Sequence, residues 1–410
     1  MKNKLLPLYV TNFLGVFDDN LLKSLISFIA IYWVSKGNES LIIMLATGFL
    51  VIPYILFSPY AGFISKTLQK QRVVLFLKVV EIFIMMLAVV GFMFESIYVV
   101  LSAMFLMGLQ STFFSPAKFA LVRDIGGEEK SSIGTGTVEM TTFFGVLLGT
   151  FAAGILSDIK ENRILWIGAS FLILTLSGVV SAINIKAQEP KPLSIHIKPL
   201  NFINFIIRKY RWSQRNVQGL NRIVLGLSLF WLVASMIQMN LLIHCPITLG
   251  FSNTETGIIM ALVAVSIGLG SYVSGVVAKD RVEMGLIPIG GVLFILCIGL
   301  IFLINPNGIF FIVLIMLAAF TAGFFKTPLN AWMQVAVKGR KLADAVAYNN
   351  LINFIFILLS ALIFGITENL LNSRFVFLVV GFISVLMIAL LSFRVAGINE
   401  SIKRILNFKK

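Results

Sequence analysis

Twelve runs of apolar residues follow one another from end to end of the chain, each bounded by charged or turn-forming positions. They lie near 5–34, 41–64, 73–93, 97–117, 133–156 and 164–185, then near 223–244, 255–278, 286–304, 309–330, 344–366 and 374–395. Most are about 18 to 25 residues long, which at ~1.5 Å of rise per residue spans a hydrocarbon layer about 30 Å thick. Helices are therefore the expected elements. The predicted architecture is an all-α membrane protein. It has a six-helix bundle over 1–185, a linker over 186–222, a second six-helix bundle over 223–396 and a tail over 397–410. The first run is too long for a signal peptide and lacks a small-residue cleavage pattern, so it is expected to stay as the first helix.

Composition supports this reading, because 58% of residues are hydrophobic and only 12% charged, where soluble domains carry roughly 25% charged residues. A net charge of +15 would suggest a nucleic-acid partner in a soluble protein, but its distribution points elsewhere. The 186–222 segment alone holds eight lysines and arginines. Others cluster at the amino terminus, after the second, fourth, eighth and tenth runs, and in the tail, whereas the opposite loops hold only Lys36, Lys160, Arg163 and Arg374. By the excess of positive charge on cytoplasmic loops, both termini and the linker are expected in the cytoplasm, and no nucleic-acid partner is expected. The basic linker, amphipathic in part, also suits anionic membrane lipids.

Little in the chain suggests catalysis. Cys245 and Cys297 read as packing residues, His196 and His244 form no metal-type spacing, and there is no phosphate-binding glycine loop. No nucleophile, base and oxyanion grouping stands out, so neither an enzyme nor a cofactor is expected.

The halves echo each other. Phe113-Phe114-Ser115-Pro116-Ala117-Lys118 in the fourth run resembles Phe324-Phe325-Lys326-Thr327-Pro328-Leu329-Asn330 in the tenth, and Gly62–Lys66 resembles Gly275–Lys279. Corresponding helices run in the same direction, the relation between transporter halves about the membrane normal.

Charges inside apolar runs are the candidate chemistry, since each costs a few kcal/mol or more in lipid and persists where it lines a cavity or meets a partner. The first run holds Asp18, Asp19, Asn20 and Lys23, with Asp19 and Lys23 on one helical face. Lys118 ends the fourth run. Glu139 lies inside the fifth, between Thr135 and Thr142, with Lys118 as its nearest candidate cation. Gly145, Gly149 and Ala153 form a small-residue stripe for close helix contact. In the second half the matching positions are polar but mostly uncharged: Trp231, Ser235 and Gln238, then Asn330 with Lys326 and Gln334, then Asn349, Asn350 and Asn353. By the repeat offset, Asn350 corresponds to Glu139. A cavity charged on one side and neutral on the other suits an amphipathic solute better than a sugar. Asp19, Asn20, Lys23, Lys118, Glu139, Gln238, Asn330 and Asn350 are thus candidate substrate ligands, with Asp18, Asp19 and Glu139 candidate coupling or gating groups.

Phe17-Asp18-Asp19-Asn20-Leu21-Leu22, Ser115–Lys118, Glu139 with Gly145 and Gly149, and Gly323–Ala331 resemble the bacterial lysophospholipid transporter family of the major facilitator superfamily. Ser228–Trp231 and Asn349-Asn350 fit the same pattern, and the order holds over nearly the whole chain. The resemblance implies a flippase bringing lysophospholipids, chiefly lysophosphatidylethanolamine, to the inner leaflet of the bacterial cytoplasmic membrane. There a separate acyltransferase working with acyl carrier protein would restore the second chain. Lys66 and Gln69 stand where the superfamily's loop motif has an acid and a glycine. Gln238 and Asn353 stand where similar members carry an arginine and an acid, and Lys23 is the substitute phosphate ligand. The competing expectation is a proton-coupled exporter of amphipathic drugs or metabolites using Asp19 and Glu139.

Overall fold

The structure, a computed structural model, describes residues 4–33, 38–187, 189, 201–278, 282–337 and 340–394, excepting the side chains of 66, 123, 127–136, 139, 334, 340–344 and 392–394. The helices are α1 (Leu6–Ile29), α2 (Glu39–Thr67), α3 (Lys70–Met93), α4 (Ile97–Asp158), α5 (Arg163–Ile183), α6 (Phe202–Asn216), α7 (Leu220–Ile243), α8 (Asn253–Ala278), α9 (Leu286–Ile304), α10 (Gly308–Ala336), α11 (Arg340–Leu370) and α12 (Ser373–Arg394). A 3-10 turn, Ala30–Trp33, follows α1 and a π-helical turn, His244–Thr248, follows α7. No strand occurs among the described residues.

Among the described residues, eleven helical segments are long and apolar enough to cross a membrane. Helix α1 is not among them, because every 18-residue stretch of it contains Asp18, Asp19 and Lys23. It forms a helix nonetheless, and 17 of its 24 residues are buried. Protein rather than lipid surrounds it, which is the condition under which a spanning helix keeps charges.

Helix α4 takes in both of the runs expected as separate helices over 97–117 and 133–156, a helical stretch of 62 residues in all. Twenty residues of straight helix would hold positions 118 and 138 about 30 Å apart. Yet Lys118 and Val138 both contact Asn12, at 2.7 and 3.1 Å, so the chain doubles back between them. The two limbs, Ile97–Gly126 and Met140–Asp158, are separate spans. Asn12 facing Lys118 and Asp19 facing Ser111 make the first limb antiparallel to α1. Asn12 facing Thr141 and Ser24 facing Thr150 make the second limb parallel to it. The small-residue stripe sets that second contact: a methyl group on Gly149 would stand 2.5 Å from the Phe17 carbonyl oxygen, so only a residue without Cβ allows the two backbones to meet.

The chain forms two compact units, Met1–Phe205 with Ser252–Ile258, and Ile206–Phe251 with Ile259–Lys410. In the first, α1 packs on α4 and α5, α2 and α3 pack on α4, and α3 packs on α5. In the second, α7 packs on α10, α11 and α12, and α9 packs on α10 and α12. Within the basic linker, α6 seats Ile206 and Trp212 against the second unit's apolar core and leaves Arg208, Arg211 and Arg215 exposed.

The amino-terminal end of α3 is closed from a distance in sequence. The Glu189 carboxylate accepts hydrogen bonds from the backbone N–H groups of Lys70 and Gln71 at 2.6 and 2.8 Å. These are donors that a helix start leaves unused, and the helix dipole favours an anion there. The Lys70 ammonium lies 2.8 Å from Asp124 and 3.6 Å from Glu189, and the Gln71 amide donates to the Ala187 carbonyl at 2.7 Å.

Candidate functional site

Within the first unit, polar groups of α1, α3 and α4 collect into one connected network. Asn12 is fully buried and has both ends in use: its amide nitrogen reaches the Val138 carbonyl and the Thr141 and Thr142 hydroxyls, and its oxygen accepts from Lys118 Nζ. Lys118 also lies over the rings of Phe114 and Phe119, at 5.5 and 5.3 Å from their centroids. Two turns along α1, the Ser111 hydroxyl sits 2.9 and 3.1 Å from the two Asp19 oxygens. Lys23 and Lys118 both face Asp19, and Tyr54 of α2 reaches the same Ser111.

Helix α3 supplies the strongest pair. Lys78 Nζ donates to both Glu81 oxygens, at 2.9 and 2.7 Å, and the two side chains are 1% and 0% exposed. Gln110 Nε2 donates to Glu81 Oε2 at 2.7 Å, and Lys78 Nζ lies 5.6 Å from the centre of the Phe114 ring. An ion pair this deep holds only because both partners are so fully hydrogen-bonded.

Lys78 fits because two glycines make room. It threads between Gly15 of α1 and Gly178 of α5. A methyl on Gly15 would stand 2.7 Å from Lys78 Nζ, whereas one on Gly178 would meet Lys78 Cδ at an ordinary 3.4 Å. We expect Gly15→Ala to push the ammonium off Glu81 and to destabilise the purified protein by about 1–3 kcal/mol, the usual cost of overpacking. Gly178→Ala should leave the melting temperature close to that of the parent. Equal melting temperatures for the two variants would show that the Lys78 head is free to move aside.

The second unit offers fewer charges. Ser228 on α7 donates to Asn353 on α11 at 2.8 Å, Phe230 stacks on Phe325 at 6.3 Å, and Lys326 Nζ lies 5.0 Å from the Trp231 ring centre. Near the π-helical turn, His244 Nδ1 pairs with the Ser373 hydroxyl at 2.9 Å between the rings of Phe311 and Phe377.

Of the candidates read from the sequence, Asp18, Asp19, Lys23 and Lys118 are buried in the first unit's network. Asn20 is half-buried, and its amide returns to the Val16 carbonyl of its own helix. Glu139 lies within α4, but its side chain is outside the described residues, and the contact shown for the Lys118 ammonium is with Asn12. Gln238 and Asn330 are half-buried in the second unit; Asn350 is exposed, while its neighbours Asn349 and Asn353 are buried. Sequence reasoning missed Asn12, Lys78, Glu81, Gln110 and Ser111. For Lys78 and Glu81 the signal was present, an opposite-charge pair three apart inside an apolar run.

Comparison with known proteins places this chain in a family. Lysophospholipid transporter LplT of Escherichia coli O157:H7 is 25% identical over 354 residues, 83% of each chain, and the Shigella boydii protein of the same name matches equally. Two solved structures share the fold: nucleoside transporter NupG, with a TM-score of 0.71 at 12% identity over 96% of this chain and 100% of that one, and a POT family transporter in complex with 5-aminolevulinic acid. The latter has a TM-score of 0.70 at 13% identity over 95% of both chains. The family model of the Major Facilitator Superfamily matches residues 8–361, and the chain, a multi-pass helical membrane protein, belongs to that superfamily of transporters.

Proposed function

We propose that this transporter moves lysophospholipids, chiefly lysophosphatidylethanolamine, to the inner leaflet of a bacterial cytoplasmic membrane by alternating access. The observation that carries the reading is spatial. The α1 and α4 stretches on which the family resemblance rests enter one network, Lys118 meeting Asn12 of α1 and Asp19 meeting Ser111 of α4. Their meeting brings cations and a carboxylate to neighbouring turns of one helix, and a phosphoethanolamine headgroup carries the two complementary charges. Lys118 and Lys23 would take the phosphate and Asp19 the ammonium, with Asn20 and Glu139 nearby on the same two helices. Gln238, Asn330 and Asn350 would offer neutral polar contacts from the second unit, and Asp18, Asp19 and Glu139 would gate or couple. Both termini and the basic linker would face the cytoplasm. The product would pass to a separate acyltransferase using acyl carrier protein, and the two LplT relatives support the substrate class.

The test is uptake of labelled lysophospholipids into spheroplasts that lack their own transporter, with the protein matched for amount in the membrane. Uptake above the empty-vector level is expected. If the chain moves no lysophospholipid but lowers sensitivity to amphipathic drugs, the exporter function replaces this one.

A further inference from the structure

We propose that the second unit carries a site for one anionic membrane phospholipid, with its phosphate at Arg222 and one acyl chain in the groove between α7 and α12. This lipid belongs to the surrounding bilayer and is distinct from the transported solute. The groove is lined by Arg222, Leu225, Gly226 and Leu229 of α7 and by Leu390 and Leu391 of α12. Its one charged group stands in the first turn of α7, and the rest of the lining is apolar. Leu225 and Leu229 follow Arg222 by three and seven residues, about 4.5 and 10.5 Å further along the helix. A cation where a span begins, with apolar walls running inward from it, matches the order of headgroup and chain in a phospholipid.

A glycine sets the floor of the groove. Leu391 lies so close to Gly226 that a methyl there would stand 3.0 Å from Leu391 Cδ1, so α12 meets the backbone of α7 directly. Leu225 and Leu390 nevertheless stay 39% and 42% exposed, an apolar surface open to a chain from the bilayer.

Charge decides which lipid fits. From 201 to 222 the chain has five cations, Arg208, Lys209, Arg211, Arg215 and Arg222, and no acid. The Asn221 amide, one residue before Arg222, reaches the Tyr210 carbonyl at 3.5 Å and so ties α6 to the start of α7. On α6, Arg208, Arg211 and Arg215 form one exposed stripe, and the exposed Ile207 and Tyr210 form an apolar edge beside it. Such a helix suits a membrane surface, its apolar edge toward the chains and its cations toward phosphates. The cations attract a lipid with net negative charge, an attraction that a neutral one does not return. An acidic protein would answer the arginines but not the leucine-lined groove, and a second copy of this chain would bring the same positive stretch to the contact.

Native mass spectrometry of the purified full chain, titrated with phosphatidylglycerol and with phosphatidylcholine, tests the site. One phosphatidylglycerol is expected to be held more tightly than phosphatidylcholine. Arg222→Gln should weaken it about ten-fold, the loss of one charge-assisted contact. Arg222→Lys should keep most of the affinity, and Leu225→Trp, which fills the groove with Arg222 in place, should lower it. Both positions are exposed, so these changes leave the fold intact, which thermal unfolding in lipid-free detergent checks. Equal affinity for the two lipids, indifference to Arg222→Gln, or displacement by glycerol phosphate, which has the charge and no chain, would overturn the proposal. Dimers that disappear in Leu225→Trp would give the groove to a second copy, and displacement by equimolar lysophosphatidylethanolamine would give it to the transported class; either would overturn it too. The titration measures no transport, so its failure and that of the uptake assay are separate.

Discussion

Replacing Glu81 by leucine is expected to remove most of the folded protein. The Lys78 ammonium is 1% exposed and, among the described acids, held at hydrogen-bond range by Glu81 alone. Taking away that partner leaves a charge in an apolar setting, which costs about 3–5 kcal/mol, against a total stability of roughly 5–15 kcal/mol for a folded domain. The Lys78 side chain lies between Gly15 and Gly178, shielded from water. The double variant Lys78→Met with Glu81→Leu should recover most of the loss, since neither member is then stranded. Yield of monodisperse protein in detergent and its thermal unfolding read both effects. A single variant as stable as the double would mean that Lys78 finds another partner, and the network described here would be wrong.

The second large effect concerns transport rather than folding. Lys118→Gln removes a cation that lies 2.7 Å from Asn12 and faces Asp19. If the site takes phosphate there, the lost charge-assisted contact is worth about 1.5–3 kcal/mol, or about ten-fold or more in apparent affinity. Lysophospholipid uptake should fall accordingly while protein in the membrane holds. Asp19→Asn should weaken handling of lysophosphatidylethanolamine more than of lysophosphatidylglycerol, because only the former brings an ammonium to that carboxylate. Equal losses for the two lipids would remove Asp19 from headgroup recognition.

Much of the fold was legible because hydrocarbon thickness imposes one length on every spanning helix. The apolar run at 223–244 became α7, Leu220–Ile243, and that at 286–304 became α9, Leu286–Ile304. Helix α1 was legible for another reason: charges such as Asp18 and Lys23 in an apolar run demand a protein environment, and the structure buries both. What stayed hidden were relations between distant segments. Nothing local in Asn12 announces that it joins both limbs of α4, and nothing in Glu189 announces a helix cap more than a hundred residues upstream. The chain's reversal between the two limbs of α4 was expected, and the separate spans Ile97–Gly126 and Met140–Asp158 agree with it. Lys78 and Glu81 were readable in principle by the same rule as Asp19 and Lys23. In the second unit Asn349 and Asn353 are buried and Asn350 is exposed, one residue along from Asn349 and roughly 100° round the helix from it.

The cap on α3 has a bearing on how this protein can be divided. Its last membrane helix in the first unit ends at Ile183, and a fragment or chimaera designed on helices alone would stop there. Such a piece would lack Ala187 and Glu189. It would leave the Lys70 and Gln71 amides open and the Lys70 ammonium with Asp124 as its one remaining carboxylate of the two it now contacts. The earliest cut that keeps this cap falls after residue 189, six residues beyond the helix.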